Sequence, residues 1–172
     1  METYRQRPLP YPRDTPMNFY AIQHAVGKIQ DDPELRETFI SLYDQASHHQ
    51  IAAFGLRYRK HLLDHHQIAN DPLFEAVTVA VERWMNGETN YHPARNLAGE
   101  LQDRAREDFD PFTARFDRTI AQIAAIPHVK FHGLWVTDFG ISLINRRYPE
   151  DQEAITAERQ VQIQIIRKVL NS

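Results

Sequence analysis

Between Val129 and Ile144 the chain carries Val129, Phe131, Leu134, Trp135, Val136, Phe139, Ile141, Leu143 and Ile144, which, wound as a helix, leave no side of it polar. A helix that is apolar all round belongs among other helices, with no face turned to water. Gly133 and Gly140 lie on one face of this segment, and each costs about 1 kcal/mol of helix propensity against alanine. Glycines held at that cost predict a neighbouring helix packed closely along that face. Ala121, Ala124 and Ala125, just upstream, suit the same purpose. The expected fold is all-α, a multi-helix bundle with a central buried helix over about residues 128–147.

The rest of the chain supplies helices to surround it. Asp32-Pro33, Asp71-Pro72 and Asp110-Pro111 each pair a capping carboxylate with a proline suited to the first helical position. Behind them run stripes at spacings of three and four: Leu35, Phe39, Leu42, Tyr43 and Ala46; Leu73, Val77, Ala80, Val81 and Trp84; Phe112, Phe116, Ile120 and Ile123. Ser47 is placed to cap another helix with Ile51, Phe54, Tyr58, Leu62 and His65 inward, and Gly87 to stop the helix that ends near Trp84. A further helix is predicted from about Tyr91 to Asp108, and a last one opened by Pro149. Phe19, Ile22, Val26 and Ile29 form one more short stripe. Residues 1–17 contain Pro8, Pro10, Pro12 and Pro16 and predict an extended arm. Residues 18–172 predict a single helical domain.

Composition narrows function by exclusion. The 172 residues carry 20 Lys plus Arg against 23 Asp plus Glu, a formal net charge of -3, so no basic excess favours nucleic acid. No apolar run approaches the roughly 20 residues of a membrane span, and the first residues do not read as a targeting signal, so a cytoplasmic protein is expected. With no cysteine there is no disulfide scaffold, thiolate zinc site or cysteine nucleophile. Phosphate-binding glycine loops and the nucleophile elbow are also missing, which points away from an enzyme. Glu100 and Arg104 are spaced as an ordinary surface i, i+4 pair.

Polar residues on the predicted central helix need partners, because a buried polar group without a hydrogen bond is costly. His128, His132, Asp138 and Asn145 are those residues, with Arg95, Asn96 and Arg118 as candidate partners. They form either a structural network that sets helix register or a polar pocket. His61/His65 and His128/His132 are i, i+4 pairs, whose imidazoles share a helix face at metal-chelating distance. Neither pair encloses the glutamate of a zinc protease. No cofactor is expected, and a divalent metal on those four histidines is the alternative.

The run Val81-Glu82-Arg83-Trp84-Met85-Asn86-Gly87, then Ala94-Arg95-Asn96-Leu97-Ala98-Gly99-Glu100, then Ile126-Pro127-His128-Val129-Lys130-Phe131-His132-Gly133-Leu134-Trp135, resembles the helical putative immunity proteins of bacterial polymorphic-toxin systems. The resemblance spans about residues 76–148 and leaves out the proline-rich arm and the isoleucine-rich last helix. It implies a non-enzymatic protein that binds and neutralises a toxin. An exposed acidic face is then expected, with Asp31, Asp32, Glu34, Glu37, Asp44, Glu150, Asp151 and Glu153 as candidates. A second resemblance is to DinB-like metal-binding bundles, and implies His128 and His132 as ligands with His61 or His65. Homo-oligomerisation through Ile155, Val161, Ile163, Ile165, Ile166, Val169 and Leu170, which spread wider than one core stripe, is a third reading.

Overall fold

The computed structural model describes residues 26–172. The proline-rich arm and most of the Phe19–Ile29 stripe lie outside them. The described end of that stripe, from Val26 to Ile29, runs as turn and bend, with Gly27 at φ +82°. Among the described residues there are seven helices and no strand: α1 Pro33–Gln45, α2 His48–His66, α3 Pro72–Met85, α4 His92–Glu107, α5 Pro111–Ala125, α6 His132–Arg147 and α7 Gln152–Leu170.

Helix starts follow the capping chemistry. Asp32, Asp71, Asp110 and Asp151 each accept a hydrogen bond from a backbone N–H in the first turn of α1, α3, α5 and α7. Ser47 and Gln50 form a reciprocal capping box on α2. The last helix therefore begins behind Asp151 at Gln152, and Pro149 sits in the preceding turn.

α6 is the central helix. It packs against α2, α5 and α7, and every residue from Gly133 to Ile144 except Trp135 is buried. Its two glycines face α2. A Cβ on Gly133 would overlap Ile51, and one on Gly140 would overlap the Tyr58 hydroxyl. The helix is shorter at its start than the apolar pattern predicts. Ile126 to Phe131 run as turns, Pro127 stops the preceding helix, and no side chain caps α6. An apolar count reports burial, not where a helix begins.

The core gathers Phe39, Phe54, Tyr58 and Phe116, with Phe39–Phe54 and Phe54–Tyr58 ring centroids 5.1 and 5.6 Å apart. On α2 the inward row steps by four, from Phe54 through Tyr58 and Leu62 to His66. His66 is consequently buried, while His65, predicted inward, is exposed.

Candidate functional site

The polar residue at the middle of α6 is the centre of an internal ion-pair relay. Asp138 is fully buried and takes a two-pronged pair from Arg36 of α1, with Nε to Oδ1 at 3.0 Å and Nη2 to Oδ2 at 2.9 Å. Arg159 of α7, also fully buried, donates to Asp138 at 2.8 Å and grips Asp31 through Nε and Nη2 at 2.8 and 2.7 Å. From Arg159 the relay continues to Gln162 at 3.0 Å, whose amide donates to the Tyr58 hydroxyl and the Thr137 carbonyl at 2.8 and 3.0 Å. Tyr58 donates to Glu158 at 2.7 Å, and His61 Nε2 donates to the same carboxylate at 2.9 and 3.0 Å. Four helices and the segment before α1 are tied together in this way.

The electrostatics follow from burial and pairing. Burial alone would lower the Arg159 guanidinium, but the Asp31 and Asp138 carboxylates outweigh it and hold the pKa above the ordinary arginine value. Burial would raise Glu158, yet the His61 and Tyr58 hydrogen bonds overcome this and leave it below the usual carboxylate value. Burial and the neighbouring Glu158 raise Tyr58, which stays a proton donor. Each carboxylate and guanidinium of the relay is thus held by partners within the fold.

The other residues predicted for this cluster lie elsewhere. Arg95 and Asn96 are exposed on α4, Arg118 is half-buried on α5, and none of the three pairs with Asp138. The buried side of α4 is Ala94, Ala98, Leu101 and Ala105, and Arg95 and Asn96 occupy the side turned to water. Asn145 bonds the Gln30 backbone at the surface, 2.9 and 3.0 Å. His132 donates to the Gln122 side chain at 2.7 Å, and burial lowers its pKa to about 4. His128 packs against Tyr91, ring centroids 4.4 Å apart. The histidine pairs are separately engaged, and among the described residues no group of three or more His, Asp or Glu is placed to hold a metal ion.

Of the partners that sequence reading missed, Arg36, Glu158, Arg159 and Gln162, the last two fall in the apolar stripe Ile155, Ile166 and Val169 of α7. Two polar residues inside such a stripe are a legible sign of an internal network. Arg104 also turns away from Glu100. It forks onto Asp117 of α5 at 2.8 Å through Nε and Nη2, and reaches Asp71, the α3 cap, at 2.9 Å. Of the expected acidic face, Asp31 and Asp32 are tied to Arg159 and Thr156, and Glu34, Glu37, Asp44, Glu150, Asp151 and Glu153 are exposed. Of the apolar surplus on α7, Ile165 and Leu170 pack on the core. Among the described residues no helix is long and apolar enough to cross a membrane.

An all-α bundle braced by an internal salt-bridge relay is the class the structure defines. Residues 41–169 match the Imm-5 like putative immunity protein family model, and the chain belongs to that family. The match takes in the last helix, which the sequence resemblance left out. No curated protein and no solved structure matches the chain.

Proposed function

We propose that this protein neutralises a toxin by binding it in the cytoplasm as a stoichiometric complex, with no reaction catalysed. The observation that carries this reading is the family match over residues 41–169. The relay is consistent with it physically: its buried carboxylates and guanidinium groups are held by partners within the fold, which suits a protein that works through surface complementarity. The test is whether a toxin domain is encoded beside this gene and, expressed in a susceptible host with and without this protein, is neutralised by it, read as growth and as a one-to-one complex by calorimetry. Rescue with complex formation is expected. A neighbouring toxin that kills equally in both arms overturns the reading.

A further inference from the structure

We infer that the α4–α5 turn and the cleft beside it are the toxin-facing surface, and that the toxin presents there a basic patch with an apolar hollow. This rests on the proposed function and adds where the complex forms. Phe109, between the two helices, is wholly exposed, at 102%. An apolar side chain left wholly in water gains nothing from folding, and a rigidly held aromatic is the usual anchor of an interface. Phe109 is held. The Asp110 backbone N–H donates to Asp108 at 2.9 Å, and Asp110 takes the Thr113 N–H at 3.1 Å as the α5 cap.

Two clefts meet at this turn. One, of about 310 Å³, is lined by Ile68, Phe74 and Phe116 together with Asp71, Arg104 and Asp108. The other is a shallow depression open to water that shares Arg104 and Asp108 and adds Glu107, Phe109 and Asp110. Charge decides the partner. Asp71 and Asp117 share the one Arg104 guanidinium, and Arg106 is occupied by Asp103. Glu107, Asp108 and Asp110 have no side-chain cation among the described ion pairs. A lysine or arginine of the toxin fits this setting, its head at the Glu107, Asp108 and Asp110 carboxylates, while Phe109 enters the toxin's hollow.

The experiment uses the full chain and the catalytically inactivated toxin domain encoded beside the gene, by biolayer interferometry across a salt series. Phe109→Ala should weaken binding about tenfold or more. Glu107→Lys, which suits the end of a helix and leaves folding intact, should slow association and flatten the salt dependence. Glu37→Lys on α1 should bind as the wild type does. Wild-type binding by Phe109→Ala and Glu107→Lys overturns the surface while the function stands, as does loss confined to Glu37→Lys. A Phe109-dependent dimer of this chain in sedimentation, with toxin binding unchanged, also overturns it. A wild type that neither binds nor protects removes the function itself, and that arm alone reports it.

Discussion

At the scale of single residues, the contact between Gly140 and Tyr58 sets how closely α2 and α6 approach. The Tyr58 hydroxyl lies where a Cβ would be, and it holds both Gln162 and Glu158. Gly140→Ala therefore overpacks a buried hydrogen-bonded site and should cost about 3 kcal/mol. Gly99 lies on the exposed side of α4, where an added Cβ would meet nothing within 4 Å. Gly99→Ala should stabilise by about 0.5–1 kcal/mol through helix propensity. Urea unfolding of both variants checks the pair, and a neutral Gly140→Ala would contradict the close approach. That glycines mark the contact was readable in the sequence from their place on one helical face. Which helix they meet was not, because helix periodicity carries no information on partners.

At the scale of elements, α7 is joined to α1 and α6 by charge as much as by apolar packing. Asp138 neutralises Arg36 and Arg159 together, so Asp138→Ala removes an anion that two buried guanidinium groups share. A loss of about 3–5 kcal/mol is expected. Arg83→Ala, which breaks the exposed Arg83–Glu88 pair, should change stability by about 0.5 kcal/mol or less. Chemical denaturation of the two proteins side by side measures the contrast. The sequence showed Asp138 as a polar group in a dry helix and so demanded a partner for it. It pointed to Arg95, Asn96 and Arg118, whereas the partners are Arg36, 102 residues away, and Arg159, 21 residues away on the next helix. Asp-Pro starts and apolar stripes are local properties and were legible; a long-range ion pair is not.

At the scale of the whole molecule, acid should unfold this protein in two overlapping stages. His66 is buried with neither ring nitrogen hydrogen-bonded, against Phe112 and Phe116, and burial lowers its pKa to about 4. His132 is lowered to the same level. An unfolded chain takes up these protons near pH 6.5, before the folded one does. The stability from both histidines is thus complete above pH 6.5 and is lost as pH falls from there to about 4. Glu158, whose folded pKa is depressed, adds a loss below the ordinary glutamate range as it is protonated. The midpoint of thermal unfolding should fall steadily below pH 6.5. His66→Phe, which suits its aromatic neighbours, should lessen the fall between pH 6.5 and 4.5, measured by circular dichroism. An identical fall in that variant would assign the acid sensitivity to other groups.

The turn that carries Phe109 takes its shape from Asp108, Asp110 and the backbone, and the phenyl ring contributes nothing to it. The codon at 109 is therefore free to drift without a folding penalty. Under the proposed role, a lineage pressed by a changing adversary would have there a dial for recognition that it can turn one substitution at a time.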